Sequence, residues 1–178
     1  MVSVKQKLRK MRTEWLLKIK EEVTKQLKVG FIKPVNQAEW IANVVPVLKK
    51  DGMVRMCMDF RGLNKACPKD DFPLPLIDVL EDNTAWSTLM SFMVGFLGYN
   101  QIKMAPKDMT KITFTTEWGI YCYMVMLFGL KNAGVTYQRM ATTLLHDMIV
   151  KSKDRENHTT NLRKFFERIK EYRLRLNL

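Results

Sequence analysis

Cations gather where a short stretch of chain turns back on itself. Lys49 and Lys50 precede Asp51-Gly52, a dipeptide that favours a two-residue turn, and Arg55 follows it. Ammonium and guanidinium groups at a hairpin tip suit the grip of a triphosphate or a nucleic-acid backbone, and they are equally an ordinary protection of a sheet edge. A second stretch with chemical content is Ser91 to Met104, SFMVGFLGYNQIKM: an apolar strand-like run, two glycines, then a polar-aromatic segment. A third is Leu127 to Gly134, LFGLKNAG, a glycine-bearing loop. Cys57, Cys67 and Cys122 are odd in number and match no zinc spacing, so they read as free or buried thiols in a reducing compartment. His146 and His158 fall in polar contexts that suggest exposure rather than catalysis.

The elements that must position these residues follow from hydrophobic spacing. Leu16, Ile19, Val23 and Leu27 recur at steps of three and four, which predicts an amphipathic helix from Thr13 to Lys28 closed by Gly30. The basic run Lys5 to Arg12 before it reads as a frayed extension of that helix or a solvated charge run. Ala42 to Lys50 and Met53 to Phe60 form the two strands of the hairpin, and Pro46 suggests that the first lies at an edge. Alternation puts Val54, Met56, Met58 and Phe60 on one face and Arg55, Cys57 and Asp59 on the other.

Residues 61–75 carry three prolines and read as a loop. A short helix over about Ile77 to Asp82 then leads into a central strand, Thr88 to Val94. Tyr99 to Met104 and Lys111 to Thr116 read as extended chain, and a turn at Glu117 to Gly119 leads into Tyr121 to Met126. Two helices follow, Val135 to Ile149 and about Glu156 to Arg173. This is an α+β pattern with a largely antiparallel sheet packed with helices.

Bulk properties narrow the classes. A chain of 178 residues with 47% hydrophobic content is most simply one domain with a sizeable core. The formal charge of +12, from 30 Lys+Arg against 18 Asp+Glu, makes a polyanion the first partner to consider, and both ends are the basic parts. Charge alone fits ribosomal, membrane-surface or polymerase proteins equally. No apolar run approaches the roughly 20 residues of a membrane span, and the N-terminus lacks a signal-type apolar region, so the reading is cytoplasmic or nuclear with no membrane partner.

Seven stretches, taken in order, identify a resemblance: KIKEEVTKQLKVGFI (18–32), EWIANVVPVLKKDG (39–52), VRMCMDFRGLNKACPKDDFPLP (54–75), GYNQIKM (98–104), TFTTEWGIYCY (113–123), FGLKNAGVTYQRM (128–140) and VKSKDRENH (150–158). The chain resembles the reverse transcriptase domain of gypsy-type long-terminal-repeat retrotransposons of the plant form. The resemblance implies a fingers-and-palm polymerase fold over residues 13–178, preceded by a basic extension, residues 1–12. Thumb, connection and ribonuclease H regions are not part of it. By the same resemblance Lys49, Lys50 and Arg55 contact the triphosphate, and Tyr99 is the aromatic gate against a 2′-hydroxyl. Phe128, Gly129 and Lys131 line the nucleotide and template pocket, with Gln138 on the adjoining helix. The implied partners are an RNA or DNA template–primer and a deoxynucleoside triphosphate.

The family's cofactor is Mg²⁺, two ions of which activate the primer 3′-hydroxyl and stabilise the leaving pyrophosphate. The pattern places one Asp at the end of the central strand and two in a Tyr-Val-Asp-Asp hairpin. Here Val94 occupies the first position, and the hairpin is absent: Asp147-Met148-Ile149 runs into Val150-Lys151, a deletion near 149–150 of about a dozen residues by that resemblance. Val54, Leu97 and Leu127 are smaller departures. Asp59, Asp108 and Asp147 are the carboxylates available as substitutes, and none belongs to the pattern's set. The expectation is a degenerate copy with an incomplete palm, no intact catalytic residue and no bound metal. It either retains nucleic-acid binding or has no role.

Overall fold

The computed structural model describes residues 3–50, 52–73, 82, 84–96, 98–145 and 149–177. In chain order they form α1 (Thr13–Lys28), β1 (Ile32–Pro34), β2 (Ile41–Leu48), β3 (Val54–Met58), α2 (Arg61–Ala66), β4 (Leu89–Phe92), a 3-10 turn (Gly98–Gln101) and α3 (Pro106–Met109). There follow β5 (Thr113–Thr116), β6 (Gly119–Tyr123), α4 (Ala133–Met140) with a π-helical turn (Ala141–Leu145), β7 (Ile149–Ser152) and α5 (Arg155–Glu171). The architecture is α+β. The chain divides into two compact units, Met1–Lys69 with Ile102–Lys131, and Asp70–Gln101 with Asn132–Leu178.

The first unit is a five-stranded sheet in the order β1-β6-β5-β2-β3, antiparallel at every pairing except β2 with β5. Helix α1 buries Ile19 and Val23 in the cluster that includes Ile32, Val44, Phe60, Phe114 and Tyr123. The helix ends as its spacing predicts: Gly30 takes a left-handed φ of 73°, and the Phe31 N–H bonds the Gln26 carbonyl at 2.9 Å. At the other rim of the stripe Leu27 stays exposed, because the strands meet the middle of the helix.

Pro46 does not mark an edge strand. β2 is interior, but β5 pairs only with Ile41 to Asn43, so at Pro46 one side of β2 has no ladder to which an N–H would donate. The hairpin loop is also longer than a two-residue turn. Lys49 N–H bonds the Met53 carbonyl at 2.8 Å, and residues 50–52 lie between, with Gly52 at φ 76°. Asp51 itself lies outside the described residues.

The basic N-terminal run is neither helix nor loose charge. Val4 and Gln6 pair their backbones with Ile41, and Asn43, 5% exposed, reaches back to the run. Its side-chain Nδ2 donates to the Lys7 carbonyl at 2.8 Å, its Oδ1 accepts from the Arg9 N–H at 3.3 Å, and its own N–H donates to Gln6 Oε1 at 2.9 Å. A buried amide needs such partners, and the extended run supplies them. The stretch 61–75 likewise contains a helix, α2, because its prolines, Pro68, Pro73 and Pro75, all fall after Ala66.

In the second unit β4 and β7 pair antiparallel, with Leu89 opposite Ser152 and Phe92 opposite Ile149. Val150, Phe165 and Ile169 form its buried cluster, with Leu144, Leu162, Leu174 and Leu176 against them. The expected helix from Val135 to Ile149 ends at Met140 and a π turn, because the β-branched Ile149-Val150 pair is taken into β7. A strand, β7, therefore begins at Ile149, two positions after Asp147. Asp154 caps α5, accepting the Asn157 N–H at 2.8 Å. Tyr99 to Met104 is not extended at its start, since Gly98–Gln101 is a 3-10 turn. The helix expected at Ile77 to Asp82 lies, but for its last residue, outside the described residues.

Candidate nucleotide and nucleic-acid interface

The hairpin register carries two of the three cations to one face. Val47 stands opposite Arg55 and Val45 opposite Cys57, so Lys49, two residues beyond Val47, shares that face of the ribbon with Arg55. Arg55 and Lys50 are exposed and Lys49 is half-buried. The opposite face, Val44 with Met58 and Pro46 with Met56, turns toward the core. Asp59 does not pair with Arg55. It accepts from Arg61 Nε at 2.8 Å and from an Arg61 terminal nitrogen at 2.7 Å, and the Arg61 guanidinium holds its carboxyl down at about 2.

Phe128, Gly129 and Lys131 occupy one loop of the same unit. Leu127 and Leu130 tuck against the core cluster, while Phe128 projects, 72% exposed, and Gly129 takes φ 89°. Asn64 of α2 donates to the Gly129 carbonyl at 2.7 Å and accepts from the Lys131 N–H at 2.9 Å. The Lys131 ammonium is directed to the Cys67 carbonyl at the end of α2, 2.7 Å away. Asn64 was not singled out by sequence reasoning, which took its segment for a loop.

Tyr99 and Gln138 belong to the second unit. Tyr99 lies on the 3-10 turn with its ring edge-on to Tyr137, centroids 5.3 Å apart. Tyr137 explains both glycines of the Ser91–Met104 stretch: a Cβ on Gly95 would stand 2.7 Å from its hydroxyl and one on Gly98 2.8 Å from its ring. Burial pushes the Tyr137 hydroxyl pKa up. Gln138, on α4, reaches Thr142 at 3.4 Å.

Val94 lies just past β4 and is 60% exposed, on the side of the strand that also exposes Met90 and Phe92. Its carbonyl accepts the Asn177 N–H at 2.7 Å, and Gln101 brackets the neighbouring Arg175 peptide, accepting its N–H at 2.6 Å. On the inner side Ser91 Oγ meets His158 Nε2 at 2.9 Å. His158 is thus half-buried rather than exposed; His146 lies outside the described residues.

Among the described residues the donor set does not fit a divalent ion. The side chain at 94 has no oxygen, Asp59 is committed to Arg61, and Asp108 pairs with Lys111 at 2.8 Å. Asp147 lies outside the described residues, and among the described residues no three His, Cys, Asp or Glu side chains gather as a metal site. The three cysteines are free thiols, Cys122 buried and the others half-buried. Among the described residues no helix is long and apolar enough to cross a membrane.

Comparison with known proteins places this fold and chain in a family. The profile of the reverse transcriptase (RNA-dependent DNA polymerase) family matches residues 47–178, and the chain belongs to that family. Relatives include an uncharacterised protein of Caenorhabditis elegans, 29% identical over 89% of this chain and 14% of its own length. The Pol polyprotein of the opus transposon of Drosophila melanogaster is 28% identical over 90% and 18%, and the Tf2-3 transposon polyprotein of Schizosaccharomyces pombe 27% over 88% and 13%. The chain therefore spans less than a fifth of these relatives. Among solved structures, prototype foamy virus protease–reverse transcriptase superimposes with a TM-score of 0.79 at 20% identity, over 97% of this chain and 24% of that one. A foamy viral protease–reverse transcriptase in complex with an RNA/DNA hybrid gives 0.82 at 18% identity, over 97% and 24%. The family generally uses a divalent metal, and the reverse-transcriptase fold expected from sequence is the fold observed.

Proposed function

We propose that this chain is the fingers-and-palm portion of a gypsy-type retrotransposon reverse transcriptase, preceded by the basic segment 1–12, that has lost polymerase activity while keeping a surface for template–primer. The observation that carries the loss is Val94, an exposed side chain with no oxygen where the resemblance requires a metal-ligating carboxylate. The ion pairs of Asp59 and Asp108 support it, since two of the three substitute carboxylates are already engaged by cations. In this reading Mg²⁺, when bound in the family, supplies charge stabilisation to the transferring phosphoryl group, and this chain cannot hold it there. Lys49, Lys50 and Arg55 contact phosphates, Tyr99 gates the sugar, and Phe128, Gly129, Lys131 and Gln138 border the base. The segment absent near 149–150 and a cytoplasmic or nuclear location belong to the same reading.

A primer-extension assay with Mg²⁺ tests the loss. The parent chain and Val94→Asp are both expected to give no product above a no-enzyme control, because one restored carboxylate leaves the hairpin pair missing. Incorporation by the parent would overturn the proposal. Retention of a primer–template duplex is expected to weaken steeply with salt, and retention no better than that of an unrelated protein of equal charge would remove the nucleic-acid reading. The DNA flanking the codons for Ile149 and Val150 tests the deletion: a Tyr-Val-Asp-Asp coding segment there would replace it by splicing.

A further inference from the structure

We propose that Asn64 is the positioning residue of the Phe128–Lys131 loop, so that nucleotide affinity, but not duplex affinity, depends on its side-chain amide. The proposal rests on the reading of Phe128, Gly129 and Lys131 as nucleotide contacts. Three hydrogen bonds carry it. Asn64 Nδ2 donates to the Gly129 carbonyl at 2.7 Å, Asn64 Oδ1 accepts the Lys131 N–H at 2.9 Å, and Lys131 Nζ returns to the Cys67 carbonyl at 2.7 Å. The amide thus engages the two peptide groups that flank Leu130, the residue whose side chain packs on the core. A single planar group carrying one acceptor and a donor fits a C=O and an N–H side by side, as a neighbouring strand would. Gly129, at a φ of 89°, is a conformationally permissive position, and the Asn64 amide holds its carbonyl.

The hold extends back to the hairpin. Asp59, one residue past β3, accepts from the Arg61 N–H at 3.3 Å as well as from the guanidinium, which anchors the first turn of α2. Within α2 the Asn64 N–H bonds the Phe60 carbonyl at 2.8 Å. The strand that bears Arg55 and the loop that bears Phe128 are therefore tied through one short helix, with the Asn64 amide holding the loop's backbone and the Lys131 ammonium returning to the end of the helix. Loss of the Asn64 amide releases the Gly129 carbonyl and the Lys131 N–H without touching a phosphate-facing cation.

Binding of a fluorescent deoxynucleoside triphosphate, in the presence of a primer–template duplex, separates the outcomes. Asn64→Ala is expected to weaken nucleotide binding about tenfold, with duplex affinity within about twofold of the parent. Hydrogen exchange at the Lys131 amide should speed up in the same variant while β2 and β5 keep their protection. Asn64→Gln, which keeps the amide on a longer stem, should recover part of the loss, and it carries the test if Asn64→Ala does not fold. Unchanged nucleotide binding by folded Asn64→Ala overturns the proposal, as does an equal loss of duplex binding. A parent chain that binds no nucleotide overturns the pocket reading itself, and that result is seen before any variant is made.

Discussion

Asp59 shows how a residue with catalytic chemistry becomes a structural one. Its carboxyl is held down at about 2 by the Arg61 guanidinium, from an ordinary value of 3.8. A depressed carboxyl pKa means that the stabilisation is complete above the unfolded-state value and is lost as pH falls through the folded one. Acid unfolding of the parent should therefore steepen between about pH 4 and pH 2, and Asp59→Asn should flatten that interval; identical acid titrations for the two chains would show the ion pair to be idle. Residue identities of this kind were partly legible. The alternation of Val54, Met56 and Met58 against Arg55 and Cys57 is visible in sequence and is the alternation of β3. That Asp59 would choose Arg61 over Arg55 was not, because the choice depends on where β3 ends.

Among the elements, the run Lys5 to Arg9 and β2 depend on one buried amide. Asn43→Ala should cost about 1–3 kcal/mol, since it strands the Lys7 carbonyl and the Arg9 N–H while removing a satisfied buried group. Limited proteolysis checks this: cleavage within residues 5–12 should appear in the variant under conditions that spare the parent, and equal resistance would show that the backbone pairing with Ile41 suffices. The periodicity of α1 made that helix readable to its last residue, because Ile19 and Val23 face a core that only a helix at this spacing can reach. Elements decided by partners were not readable. Pro46 looks like an edge signal until the three-residue length of the β2–β5 ladder is known, and Ile149 ends a helical pattern until β4 claims it. Asn64 escaped notice for the same reason: its partners lie at Gly129 and Lys131.

For the whole molecule, the two units have unequal means of stability. Among the described residues the first assembles ten buried residues around Phe114 and Ile19, while the second gathers Val150, Phe165 and Ile169 behind a two-stranded ribbon that leaves Phe92 69% exposed. Two-stranded ribbons need packing on a helix to persist. Hydrogen exchange should therefore be faster at the amides of β4 and β7 than at those of β2 and β5, with thermal unfolding broad for a chain of this length. A single sharp transition with uniform protection would contradict it. The fold family was legible from seven ordered stretches; the division into units was not, since residues 70–101 and 132–178 come together around a segment that belongs elsewhere.

That interleaving also has a consequence for how the chain is made. The first unit has all of its residues once Lys131 has left the ribosome, whereas β4 must wait roughly sixty residues for β7. During that interval the backbone groups of Leu89 to Phe92 belong to a strand with no partner yet synthesised. The time for which that edge stands open during synthesis is thus set by the distance between two short strands rather than by the composition of either.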